Sequence, residues 1–119
     1  MHKKEIEAIK TELFELRSSF TTTDVMNCVC EAFDITESEI VSVARPQKLA
    51  DARRCYVWFA RQLYYQTLKS VGHKLNRDHS SIVFMEQSTE AFLRHGDARL
   101  IDNIKKVWTK LKTVSSEKV

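Results

Sequence analysis

Residues Leu63 to Phe84 read LYYQTLKSVGHKLNRDHSSIVF, and the fold is decided there. Leu68, Val71 and Leu75 recur at three- and four-residue intervals, the spacing of one buried helix edge. Gly72 lies on the packing side of that helix, where a missing side chain lets a second helix approach closely. Asn76 follows, one of the few non-glycine residues that tolerates the left-handed backbone of a tight turn. Asp78 is placed to cap a second helix, its carboxylate accepting from the backbone N–H of Ser80 or Ser81. Ile82, Val83 and Met85 carry that helix into a core. The stretch therefore predicts two short helices joined by a turn, with Arg77, His79, Ser80 and Ser81 shown to solvent where the second begins. Donors and mixed donor/acceptors on a rigid helix start are what a helix-turn-helix recognition helix presents to base edges.

Upstream, Lys48 to Tyr65 reads as one long central helix with Leu49, Ala52, Tyr56, Phe59, Ala60 and Leu63 as its buried stripe. Lys48, Arg53, Arg54 and Arg61 fall largely outside that stripe. Arg54 and Arg61 are two turns apart on one side, with Arg53 between them at another angle. Such a row, joined by Lys69 on the next helix, can track a phosphate backbone and give affinity without reading sequence. It can equally be a solvated face. Trp58, Tyr64 and Tyr65 are read as core and turn packing in preference to base stacking. Ser42 to Gln47 is a loop ahead of this helix, with Pro46 suited to the helix's first turn and Arg45 either a solvated charge or a groove contact.

Around this centre the chain is helical throughout. Ile6, Ile9, Leu13, Leu16 and Phe20 form the stripe of an N-terminal amphipathic helix, which either packs on the domain or docks a partner or a second copy. Thr21-Thr22-Thr23-Asp24 signals a helix start, and the helix to Phe33 buries Val25, Cys28, Val29, Ala32 and Phe33. Thr36 and Glu39 make a capping box for a short helix ending near Val41. After the recognition helix, Glu86 to His95 continues it with Ala91 and Phe92 on the buried side, and Gly96 stops it. Asp97-Ala98 opens a last helix with the stripe Leu100, Ile101, Ile104, Val107, Trp108 and Leu111. Lys105, Lys106, Lys110 and Lys112 suit the dipole near its end, and Thr113 onward reads as a frayed tail. The expected organisation is an N-terminal helix over 1–20, a helix-turn-helix domain over 21–113 and a tail over 114–119.

The string Arg77-Asp78-His79-Ser80-Ser81-Ile82-Val83 resembles the Arg-Asp-His-Thr-Thr-Val signature of the DNA-binding domain of DnaA, the bacterial chromosomal replication initiator. The resemblance runs through Ala52-Arg53-Arg54 and Phe59-Ala60-Arg61-Gln62-Leu63 and covers roughly Thr23 to Phe92. It implies an all-α, Trp-repressor-like helix-turn-helix domain that binds double-stranded DNA. By position it assigns base readout to Asp78, His79 and Ser80, and phosphate or groove-edge contacts to Arg53 and Arg61. It also places Arg45 on a loop arginine that enters the minor groove. Ser80 and Ser81 stand where the family has threonines, and Asn76 where it commonly has glycine. Those departures bear on the target sequence more than on DNA binding. The resemblance further implies a stand-alone regulator of replication initiation or transcription at initiator-type sites. The alternative is a helical interaction module that keeps the fold and has lost readout.

Composition bounds these readings. A chain of 119 residues makes one domain, and 2 glycines with 1 proline favour helices over a many-stranded sheet. A net charge of +3 is too mild to mark a nucleic-acid binder by itself, so the clustering of charge has to do so. Three cysteines within helical patterns read as free thiols of a reducing cytoplasm. No apolar run is long enough for a membrane span, and the N-terminus lacks the pattern of a signal peptide. Nothing resembles the G-x-x-x-x-G-K-[ST] phosphate loop, so neither ATP binding nor motor activity is expected. The four histidines have no metal-ligand spacing with the cysteines, and no nucleophile has an evident base. The expectation is a cytoplasmic DNA-binding protein, not an enzyme, with no cofactor.

Overall fold

The structure, a computed structural model, describes residues 2–63 and 66–117. Among the described residues seven α-helices follow one another: α1 His2–Leu16, α2 Thr22–Phe33, α3 Glu37–Val41, α4 Gln47–Ala60, α5 Leu68–Leu75, α6 His79–Arg94 and α7 Ala98–Glu117. A single 3-10 turn, Arg17–Ser19, leads out of α1, and no strand occurs among the described residues. The all-α expectation holds.

Local chemistry fixes most of the boundaries. Thr21 with Asp24, Thr36 with Glu39 and Thr67 with Ser70 form reciprocal capping boxes at the starts of α2, α3 and α5. The first two are the start signals read from the sequence. The third start was not, because Ser70 is neither acidic nor an amide, whereas Asp24 and Glu39 are carboxylates that mark a helix start. Helix ends use left-handed residues: Asp34 (φ 54°) after α2, Asn76 (φ 58°) after α5 and Gly96 (φ 72°) after α6. Asp97 then caps α7, accepting from the Leu100 N–H at 2.9 Å.

Helix α4 is the axis. It packs against α2, α3, α5, α6 and α7, and its buried residues run from Leu49 through Ala52, Cys55 and Tyr56 to Ala60. That is burial on nearly every side, wider than the single stripe read from the sequence, and it includes Arg53. Trp108 of α7 stacks on Phe59 (centroids 6.5 Å apart, planes 13° apart) and takes Phe20 edge-on at 6.2 Å. Helix α1 lies on α6 and α7, putting Ile6, Ile9 and Leu13 into the same core. The packing alternative for that helix is thereby realised.

Four expectations are corrected. Helix α4 stops at Ala60, short of Tyr65, because the chain tightens into turns with Gln62 N–H on Phe59 O and Leu63 N–H on Ala60 O. The readings made for Tyr64 and Tyr65 lie outside the described residues. On α6 the buried positions are Ile82, Thr89 and Leu93, not Ala91 and Phe92. Steps of seven and four keep one helical face, and Phe92 lies one residue off it. Finally, α7 continues to Glu117, beyond the expected fraying at Thr113, and its last turn carries no basic residue. Lys105 and Lys110 instead meet Glu5 at 3.4 Å and Glu31 at 3.5 Å.

Candidate nucleic-acid interface

Helices α5 and α6 and the turn between them form a tight helix-turn-helix. A Cβ added to Gly72 would lie 2.7 Å from the Arg77 carbonyl oxygen and 3.2 Å from Ile82 Cγ1. Only glycine lets the turn and α6 come this close. Asn76 takes the left-handed conformation, and the Arg77 N–H closes the turn on Gly72 O at 2.8 Å. Asp78 Oδ1 accepts from the Ser81 N–H at 2.8 Å, so the cap expected from the sequence is present. That backbone hydrogen bond, then the Ser81 hydroxyl, holds the Asp78 carboxyl below its ordinary pKa. His79 and Ser80 are exposed beyond the cap, and Ser81 is half-buried.

Arg77 is placed differently from expectation. Its guanidinium turns inward, with Nη2 on Ser42 O at 2.6 Å and Nη1 on Leu75 O at 3.1 Å and Val41 O at 3.3 Å. Helices and capping chemistry were legible locally, but three carbonyls converging from α3, the 42–46 loop and α5 were not. Arg53 makes the second correction. It is 6% exposed and donates to Ile40 O at 2.7 Å, to Ser42 O and Ala44 O at 2.9 Å each, and to Glu39 O at 3.3 Å. Burial first, and the Arg77 charge second, hold its pKa below the usual arginine value. The two guanidiniums share the Ser42 carbonyl and clamp the α3–α4 loop against the helix-turn-helix.

The arginine row along α4 is likewise broken up. Arg61 sits at the C-terminal end of α4, paired with Glu86 of α6 at 2.6 Å and donating to Gln66 O at 2.9 Å. Arg54 is half-buried, lies 5.1 Å from the Phe92 ring centroid, and its Nε is buried without a hydrogen-bond partner. Arg45, Lys48 and Lys69 are exposed, and Lys48 Nζ reaches Asp34 O at 3.2 Å.

What the tertiary structure brings together is a concavity of about 370 Å³. It is lined by Val43, Ala44 and Arg45 of the loop, Ala50, Arg53 and Arg54 of α4, Asn76 and Arg77 of the turn, and Met85 of α6. Four of its nine lining residues are arginines and none is acidic. Among the described residues no carboxylate pairs with any of the four. Uncompensated guanidiniums around a concave surface make a site for anionic oxygens. Sequence reading missed Glu86, which occupies Arg61, and Phe84, which stands 67% exposed on α6. Four-residue spacing from Ser80 was the signal available for Phe84.

The cysteines stand apart from this surface chemistry. Burial, then the Glu31 charge, pushes Cys28 up to about 11, and burial also raises Cys30 and Cys55. All three rest as neutral, free thiols.

Fold and surface together define a helix-turn-helix protein with an arginine-lined flank. The bacterial DnaA protein helix-turn-helix matches residues 22–86, more than half of the chain, and the chain belongs to that family. Its relatives include the chromosomal replication initiator protein DnaA of Nautilia profundicola, 26% identical over 93% of this chain and 26% of the relative. The protein of the same name from Caulobacter vibrioides is 26% identical over 91% of this chain and 22% of its own length. That from Campylobacter jejuni is 28% identical over 62% of this chain and 17% of its length. The chain thus spans about a quarter or less of the curated relatives it matches. No described helix is long and apolar enough to cross a membrane.

Proposed function

We propose that this chain binds double-stranded DNA, with the start of α6 in the major groove. Asp78, His79, Ser80 and Ser81 then meet base edges. The observation that carries the proposal is the carboxylate-free concavity holding Arg45, Arg53, Arg54 and Arg77 beside the exposed polar start of α6. Arg53 and Arg77 spend their donors on loop carbonyls yet keep their charge, so they raise the local potential without touching DNA. Arg54, half-buried on the wall of the concavity, and the exposed Arg45, Lys48 and Lys69 supply the phosphate contacts. In this reading Arg45, on the loop clamped beside the turn, enters the adjacent minor groove; its place on the wall of the concavity supports that role. Arg61 joins the phosphate contacts when Glu86 releases it.

At the biological level, the relatives' shared name supports an initiator-type box as the target and a regulatory role at replication origins or promoters. The test is fluorescence anisotropy against a duplex carrying such a box and a scrambled duplex. Tighter binding to the box, lost in His79→Ala and Ser80→Ala, is the expected result. Equal binding to both duplexes removes box recognition.

One observation favours a second reading, a helical interaction module. Arg53, Arg61 and Arg77 are all engaged internally, which spends donors that a DNA reader would use. Absence of binding to either duplex at low salt would favour that reading over the first.

A further inference from the structure

The outward face of α6 carries one group that the polar contacts leave unused. Phe84 is 67% exposed, on the helix whose first turn is proposed to enter the major groove. The other large exposed rings are covered on one face by a cation. Arg17 lies 3.6 Å from the Phe14 ring centroid, and Arg54 lies 5.1 Å from that of Phe92. Phe84 has no such cover among the described residues.

Its direction follows from helix geometry. At about 100° per residue, Phe84 is rotated about 40° from Ser80 and Gln87 about 20° to the other side. Ser80, Phe84 and Gln87 therefore share one face, opposite the buried Ile82 and Thr89, and all three are exposed. Four residues of rise place Phe84 about 6 Å along the axis from Ser80. Base pairs are spaced about 3.4 Å apart, so Phe84 stands within about two base pairs of the edge that Ser80 reaches, whatever the inclination of α6 to the duplex axis. A phenyl ring has no donor or acceptor for a base edge. The apolar group that a base pair offers in the major groove is the thymine 5-methyl. Ser80 and Ser81 carry no methyl of their own, so Phe84 is the large apolar contact this face can make.

We propose that Phe84 is a specificity-determining residue, reading the 5-methyl group of a thymine within about two base pairs of the position met by Ser80. The proposal rests on the DNA-binding reading above and deepens it, adding a preference for thymine that the polar residues do not encode.

The probe is a duplex selected by the wild-type chain from a random pool, then remade with each thymine in turn replaced by deoxyuridine, which deletes only the methyl. At one position the replacement should weaken wild-type binding roughly three- to four-fold, the factor expected for burying one methyl group. Phe84→Ala should bind the thymine and deoxyuridine duplexes alike, while keeping the wild-type salt dependence and thermal midpoint. Discrimination that persists in Phe84→Ala, or a wild-type chain indifferent to every replacement, overturns the assignment while leaving DNA binding intact. A wild-type chain that selects no duplex at all overturns the DNA reading itself, and this inference with it, before any variant is made.

Discussion

Arg53 shows how far the role of a residue depends on what reaches it from elsewhere in the chain. On α4 it occupies a position that could serve a phosphate row, but the carbonyls of Glu39, Ile40, Ser42 and Ala44 turn around its guanidinium. Hydrogen bonds to a charged donor contribute about 1.5–3 kcal/mol each and are not additive, so Arg53→Met should cost about 2–4 kcal/mol by urea denaturation. Arg53→Lys should recover little, because one ammonium cannot replace a planar fork aimed at separate carbonyls. Gly72→Ala tests the close approach in the turn. With the Arg77 carbonyl 2.7 Å from the new Cβ, backbone must shift, and a loss of about 1–3 kcal/mol is expected in the same assay.

At the scale of elements, caps hold the helices that present the site. Asp78 accepts from the Ser81 N–H and its carboxyl is held below the ordinary range. A carboxyl with a lowered folded-state pKa stabilises fully above its unfolded pKa and loses that contribution as pH falls through the folded value. The gap in thermal midpoint between wild type and Asp78→Ala should therefore be constant near neutrality and close as pH drops through and below the usual carboxylate range. A gap that stays open in acid would assign the effect to something other than the charged cap. Thr67→Ala removes the cap of α5, the scaffold of the turn, and should cost about 1 kcal/mol with the proposed DNA contacts untouched.

At the scale of the whole molecule, the core joins α1 to the helix-turn-helix. Leu13 is fully buried with Ile6 and Ile9 in the cluster that also holds Trp108 and Phe59. Leu13→Ala should cost about 2–5 kcal/mol and shift one cooperative unfolding transition, reported alike by tryptophan fluorescence and by circular dichroism. Two separated transitions would show that α1 folds apart from the rest. The proposed phosphate contacts of Arg45, Arg54, Lys48 and Lys69 give a second global prediction. Each neutralised phosphate contributes about −0.9 to the slope of log K against log salt, so a slope of roughly −3 to −4 is expected. A slope near zero would leave the arginine-lined concavity without a nucleic-acid role.

The sequence by itself determined most of the elements, though not the end of α4 at Ala60, the Thr67 cap of α5 or the full length of α7. Capping residues, the tolerance of Asn76 for a left-handed turn, Gly72 at a close approach and the stripe from Leu100 to Leu111 all act within a few residues. Their physics is therefore local and legible from order alone. The HTH signature from Arg77 to Val83 likewise identified the family, because its spacing is a local pattern. Only the tertiary structure decided how the charges are used. A guanidinium has five donors on a long stem, and whether they meet water, DNA or a carbonyl depends on chain segments distant in sequence. Arg53 and Arg77 turned inward because the 42–46 loop folds back over them, 11 and 35 residues away at Ser42. Arg61 closed on Glu86, 25 residues on. The arginine-lined concavity is a product of those three-dimensional meetings, which no period or motif along the chain records.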